Sequence, residues 1–172
     1  DGCELVAGVL SCAFPTSNGL VKSAQKISNS YGGLSSFYTI ASGDYFGVSS
    51  ASIGDVDGDE VNDLVVGAHG DDDGSSDAGA VFLLFLTTNG LVKSAQKISN
   101  SYGGLSSFYT IGSSDKFGLS SSSPGDLNGD GVWDMVVGTY DGDGGTNAGA
   151  IYVLFLMTNG LVKSAQKISN SY

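Results

Sequence analysis

Two stretches of the chain gather oxygen-bearing side chains at a fixed spacing. Asp55-Val56-Asp57-Gly58-Asp59-Glu60-Val61-Asn62-Asp63 and Asp126-Leu127-Asn128-Gly129-Asp130-Gly131-Val132-Trp133-Asp134 each place a carboxylate or amide at positions 1, 3, 5 and 9. Carboxylates crowded into one turn repel each other unless a cation sits among them. Ca²⁺ suits this donor set, since it takes about six to eight oxygens, a backbone carbonyl at position 7 among them. The spacing predicts Ca²⁺ held by Asp126, Asn128, Asp130, Asp134 and the Val132 carbonyl, and by Asp55, Asp57, Asp59, Asp63 and the Val61 carbonyl. Glycine at position 6 of the second loop, Gly131, lets the backbone curl round an ion, whereas Glu60 puts a side chain where a left-handed conformation is wanted. The second loop is therefore the safer site. A plain Asp/Asn/Gly turn that keeps a hairpin soluble is the alternative. Recurrence of the spacing at the same place in two repeats favours the ion.

Little else in the chain offers chemistry. His69 is the only histidine, so no histidine pair can hold zinc and no relay between two histidines exists. Cys12 aligns with buried strand positions and suits a small core thiol, and Cys3 falls in the loop before it. A Cys3–Cys12 disulfide is the alternative in an oxidising compartment. Neither cysteine has a base near it in sequence, and no catalytic residue is assigned. Eighteen acidic residues against seven lysines give a formal charge of −11, which repels nucleic-acid phosphates and anionic lipid. The longest apolar run, Ala150 to Met157, falls far short of the roughly 20 residues of a membrane helix.

These loops belong to a repeat. Asn18 to Ile40 recurs unchanged at Asn89 to Ile111, and its first part recurs from Asn159 to Tyr172. Asp44-Tyr45-Phe46-Gly47 aligns with Asp115-Lys116-Phe117-Gly118, and Ala78-Gly79-Ala80-Val81-Phe82 with Ala148-Gly149-Ala150-Ile151-Tyr152. Short β-branched, aromatic and aliphatic segments separated by Gly, Asp, Asn and Ser clusters read as strands and turns. The first full unit predicts strands at Phe46–Ile53, Asp63–Ala68, Ala80–Leu86 and Leu91–Ile98, and the second at Phe117–Ser123, Asp134–Thr139, Ala150–Met157 and Leu161–Ile168. Asn89-Gly90 and Asn159-Gly160 mark tight hairpins. The third strand is apolar at every position, so both of its faces must be covered. The fourth, LVKSAQKI, mixes in Lys and Gln and suits an outer edge. A repeated four-stranded antiparallel sheet with these properties is a β-propeller blade, and an antiparallel sandwich is the alternative.

The fold class expected is all-β, with about two and a half blades. Residues 1–40 form a half blade and linker, with Ala7–Phe14 as a third strand and Leu20–Ile27 as a fourth. Residues 41–111 form a full blade plus linker, and 112–172 a second full blade. Both chain ends read as cuts in a longer repeat array, and an apolar third strand without a neighbouring blade is expected to drive association. The linkers Tyr31–Ile40 and Tyr102–Ile111 are expected to pack between blades. The loops Asp71–Asp77 and Asp141–Asn147 are candidate partner contacts, with a solvated connector as the alternative.

Phe46-Gly47 and Phe117-Gly118, each followed by an acidic loop and then by Gly67-Ala68-His69 or Gly138-Thr139-Tyr140, resemble FG-GAP repeats, the blades of the integrin α-subunit N-terminal propeller. His69 and Tyr140 stand where that motif ends in Pro. The resemblance implies a seven-bladed extracellular or cell-surface propeller with Ca²⁺ in hairpin loops on one face. It implies a non-enzymatic module for recognition or adhesion, with a protein or glycan ligand at its loops and further repeats of the same protein as neighbours. The alternatives are an accessory propeller of a secreted or surface hydrolase and a carbohydrate-binding propeller. The latter wants equivalent aromatic pockets, and Tyr140 has His69 as its counterpart.

Overall fold

The computed structural model describes residues 3–6, 9–12, 21, 23–140 and 147–170. Among these residues ten strands follow in chain order. They are β1 (Cys3–Val6), β2 (Val9–Cys12), β3 (Ser50–Gly54), β4 (Asp63–Ala68), β5 (Ala80–Leu86), β6 (Val92–Ile98), β7 (Ser120–Gly125), β8 (Asp134–Thr139), β9 (Ala150–Leu156) and β10 (Val162–Ile168). Two four-stranded antiparallel sheets, β3-β4-β5-β6 and β7-β8-β9-β10, carry the chain. Each is a propeller blade with strands laid down in sequence order. Among the described residues, helix is confined to single 3₁₀ turns at Leu34–Ser36 and Leu105–Ser107, and none there is long and apolar enough to cross a membrane.

The second and third strands lie where the hydrophobic pattern puts them, but the first strand of each blade starts later. Phe46 and Phe117 precede β3 and β7, because Gly47 (φ 95°) and Gly118 (φ 91°) turn the backbone out of extended geometry right after them. At the hairpins between third and fourth strands, Gly90 donates its N–H to the Thr87 carbonyl at 2.8 Å and Gly160 to Met157 at 2.8 Å. Only the glycine of each Asn-Gly pair takes a positive φ.

The N-terminal half blade needs correction. Val9–Cys12 falls within the expected strand at Ala7–Phe14, whose residues 7–8 and 13–14 lie outside the described residues, and it pairs with Cys3–Val6, so Cys3 lies in a strand and its backbone stands opposite Cys12. The expected fourth strand at Leu20–Ile27 is not found, for residues 21 and 23–27 lie outside any strand. The copies of that segment, β6 and β10, are ordered by seven-residue third strands beside them. Here the corresponding strand, Val9–Cys12, has another partner.

The two blades meet face to face. Ile53, Val65, Val81, Leu83 and Phe85 of the first blade share one core with Phe117, Met135, Val137, Tyr152 and Leu154 of the second. Phe117 is fully buried, edge-on to Tyr152 at 5.6 Å, and its N–H bonds the Ala78 carbonyl at 2.8 Å. The seam is close enough to require glycine at Gly67, where a Cβ would lie 2.0 Å from the Gly118 carbonyl oxygen. The linkers join the core as expected. Leu105 and Ile111 are buried, and Tyr109 stacks edge-on against Tyr152 at 5.5 Å as Tyr38 does against Phe82.

The Asp71–Asp77 loop is anchored from beneath. Lys97 of β6 is nearly buried, with Nζ 2.6 Å from Asp71 and 2.5 Å from Asp73, over the rings of Phe82 and Tyr102. Ser99 Oγ donates to Asp73 at 3.0 Å. The counterpart loop, 141–146, lies outside the described residues.

Two expectations follow. Phe117→Ala removes a fully buried ring and costs about 3–5 kcal/mol in denaturant unfolding, whereas Phe46→Ala, at a half-buried position, costs less. Lys97→Ala leaves buried Asp71 unpaired and costs about 3 kcal/mol at neutral pH. Burial opposes the Lys97 charge, but its bonds to Asp71 and Asp73 outweigh that and hold its pKa above the ordinary 10.5. The stability it supplies is thus complete below 10.5 and is lost as pH rises through the raised value. The gap between wild type and Lys97→Ala should close as pH rises through that alkaline range.

Candidate metal centre

Each acidic loop joins the first two strands of its blade, β3 to β4 and β7 to β8, and is built the same way. The first aspartate curls the backbone round itself. Asp55 Oδ1 accepts the N–H groups of Gly58 and Asp59 at 2.7 and 3.0 Å, and Oδ2 that of Glu60 at 2.7 Å. Asp126 repeats this with Gly129, Asp130 and Gly131 at 2.8, 3.1 and 2.8 Å. The fifth-position aspartates accept from Val61 and Val132. At the far end, fully buried Asp63 takes N–H groups from Val56 and Leu86, both at 3.0 Å, and Asp134 takes them from Leu127 and Leu156 at 2.9 and 3.2 Å.

Position 6 behaves as its residue types imply. Gly131 has φ 84°, and Glu60 is held at φ 69° in the left-handed region, a conformation disfavoured for a side chain with a Cβ.

Among the described residues, Asp55, Asp57 and Asp63 bring carboxylate oxygens within 4.8 Å of one another. Asp57 Oδ1 is buried there with no hydrogen-bond partner. A carboxylate oxygen in that position fits a cation. In the second loop Asn128 takes the place of Asp57, and its amide donates to Asp130 at 3.0 Å while its carbonyl oxygen accepts from Asp130 N–H. The carboxylate grouping thus lies in the loop whose backbone is the more strained, while the better backbone carries one carboxylate fewer.

A lysine from the fourth strand reaches each loop, a feature that sequence reading missed. Lys93 Nζ lies 2.8 Å from Asp57 and also bonds Asp59, and Lys163 Nζ lies 2.8 Å from Asp130. The signal was present in the repeated Leu-Val-Lys of both copies, but lysine there reads equally as an edge-strand residue. Burial works against the Lys93 charge, yet its bonds to Asp57 and Asp59 raise its pKa to about 12. The lysine bonds lower the pKa of Asp59 and of Asp130. Burial raises Asp63 and Asp134, against the N–H groups that favour their charge.

The two loops touch across the seam. Trp133 of the second lies on Gly54, just before Asp55, where a Cβ would stand 2.3 Å from the indole.

A two-blade architecture with Phe-Gly at each seam and an acidic hairpin in each blade agrees with the comparison to known families, in which the FG-GAP repeat matches residues 46–84 and 118–154. The chain carries FG-GAP repeats. Integrin alpha-PS2 of Drosophila melanogaster is 37% identical over 119 residues, which is 64% of this chain and 8% of that protein. The FG-GAP units here therefore span a small part of the curated relative's length. Each unit places its Phe-Gly at the blade seam, with its acidic loop between the first two strands.

Lys93→Met should lower the melting temperature in chelator, more at low than at high ionic strength, because it leaves the first loop's carboxylates without a counter-ion. Thermal melts in the two salts check it, and a salt-independent loss would mean that the lysine stem acts only by packing.

Proposed function

We propose that the chain is a non-enzymatic, calcium-binding β-propeller module of an extracellular or cell-surface protein that serves recognition or adhesion. Its repeat units are residues 41–111 and 112–172, in a ring of about seven blades. The observation that carries the metal reading is the buried, unpartnered Asp57 Oδ1 within the Asp55–Asp57–Asp63 group. In this reading Asp55, Asp57, Asp59, Asp63 and the Val61 carbonyl hold one Ca²⁺, and Asp126, Asn128, Asp130, Asp134 and the Val132 carbonyl hold another. The ion supplies positive charge to a loop whose aspartates already order the backbone. The FG-GAP match and the integrin relative support the adhesion reading. Affinities of about 10⁻⁴–10⁻³ M are typical of extracellular calcium modules and suit loops as open as these. A protein or glycan ligand then meets the propeller loops at the opposite ends of the strands, where Tyr45 and Tyr140 are exposed.

Calorimetric titration should show Ca²⁺ uptake, and a hundredfold excess over Kd should stabilise the fold by about 2.7 kcal/mol. Asp57→Asn should weaken the first site and Asp130→Ala the second, while Lys116→Ala leaves both unchanged. Trp133, the only tryptophan, bridges the two loops, so its emission should shift during the titration. Because Asp63 and Asp134 are held above the ordinary carboxylate pKa of 3.8 and must be ionised to bind, uptake should weaken on acidification before that value is reached. No binding heat, with melting unchanged by chelator, overturns the metal reading.

A further inference from the structure

The fourth strand of each blade breaks register at one residue, and both times that residue is a lysine. In β6, Val92 stands opposite Leu86 and Ser94 opposite Phe85, so Lys93 has no partner across the ladder. In β10, Val162 stands opposite Leu156 and Ser164 opposite Phe155, which leaves Lys163 out in the same way. An extra residue of this kind is a β-bulge, a device that re-aims a side chain. Here it aims an ammonium at the acidic loop. Lys93 Nζ lies 2.8 Å from Asp57 Oδ2 and also bonds Asp59 Oδ2, and Lys163 Nζ lies 2.8 Å from Asp130 Oδ2. The residue facing each bulge, Leu86 or Leu156, gives its N–H to buried Asp63 or Asp134.

Each lysine occupies the carboxylate that its loop withholds from a cation. Asp55, Asp57 and Asp63 bring oxygens together, but Asp59 stands outside that group. Both of its oxygens are taken, Oδ1 by the Val61 N–H at 2.9 Å and Oδ2 by Lys93. Asp130 is engaged likewise, with Oδ1 accepting the Val132 N–H at 3.0 Å and Oδ2 accepting from Lys163 and Asn128. The fifth position is therefore contested in both loops. A divalent ion drawing on Asp59 or Asp130 meets an ammonium on the same carboxylate, and cations so close repel. The Lys93 side chain is 26% exposed and that of Lys163 50% exposed, so either stem can turn to water without opening the core.

We infer that Lys93 and Lys163 are built-in competitors of the cation, each holding the fifth-position aspartate until calcium displaces it and so setting the affinity of its own loop. The inference rests on the calcium reading above. In a closed thermodynamic cycle, the stability that the lysine gives to the empty loop equals the affinity that it takes from the ion. Lys93, on two carboxylates, competes harder than Lys163, on one. The bulge thus keeps the blade folded at low calcium and makes its site weaker.

Calorimetric titration of the full chain with Ca²⁺ tests it, with Asp130→Ala as background to isolate the first loop and Asp57→Asn to isolate the second. Lys93→Met keeps the stem and loses the charge, and should tighten the first site about tenfold; Lys163→Met should tighten the second about threefold. Lys93→Arg, which keeps the charge, should stay near the background affinity. Lys116→Met removes the same charge away from both loops and should change neither site, which separates local competition from net charge. The melting-temperature loss of Lys93→Met in chelator should vanish at saturating Ca²⁺. Lys93→Gln replaces Lys93→Met if circular dichroism shows it unfolded. Calcium uptake with equal or weaker affinity in the charge-removing variants, or a stability gap that persists at saturation, overturns the competition and leaves the calcium reading standing. No calcium uptake by the wild type or any variant overturns both.

Discussion

The carboxylates of Asp63 and Asp134 hold each blade together at its most polar point. Each is fully buried and accepts one N–H from the start of its own acidic loop and another from the last residue of the blade's third strand. That last residue is Leu86 in β5 and Leu156 in β9. One side chain therefore closes the loop and ties it to the middle of the sheet, and desolvation resists its charge. The cost is tolerable because both oxygens are bonded. The loop's free aspartates are carried on this anchor, so their spacing is inherited from the sheet.

The seam depends on a second constraint, close backbone approach. Phe117 can bury its whole ring only because Gly79, Gly67 and Gly118 let the backbones of the two blades come within contact distance. The Phe-Gly pair is in this sense a plug and its hinge, with the ring supplying apolar area and the glycine turning the chain into the next strand. Its place between blades, outside the first strand, explains why the pair recurs once per unit.

Much of this was legible in the sequence. Repetition and the wholly apolar Ala80–Leu86 gave away the blades, and β4, β5 and β8 begin and end where the pattern changes. Asp55 and Asp126 were visible because loop chemistry is local. The misses were long-range or conformational. Phe46 and Phe117 looked like strand residues because an aromatic before a glycine has the right composition, and only the φ of the glycine separates them from β3 and β7. Lys93 and Lys163 cross from another strand to the loops, a contact set by sheet order. The segment at residues 23–27 shows the limit of repeat logic, since identical residues become part of a strand at Val92–Ile98, where β5 pairs with them.

The two acidic loops divide one problem differently. The first keeps three clustered carboxylates and accepts Glu60 in a left-handed conformation; the second relaxes that position with Gly131 and replaces the middle carboxylate by Asn128, which bonds Asp130. Charge density and backbone ease have been exchanged between copies of one motif. In both, a fourth-strand lysine lowers the repulsion, and it bonds two aspartates in the more charged loop but one in the less charged. That proportion is what electrostatics requires if the blade must remain folded before any cation arrives, since repulsion grows with the number of charges brought together. Trp133 then makes the two solutions interdependent, for its indole rests on Gly54 at the root of the first loop. A shift in the second loop's backbone is felt at Asp55 through a contact that no larger residue than glycine would permit.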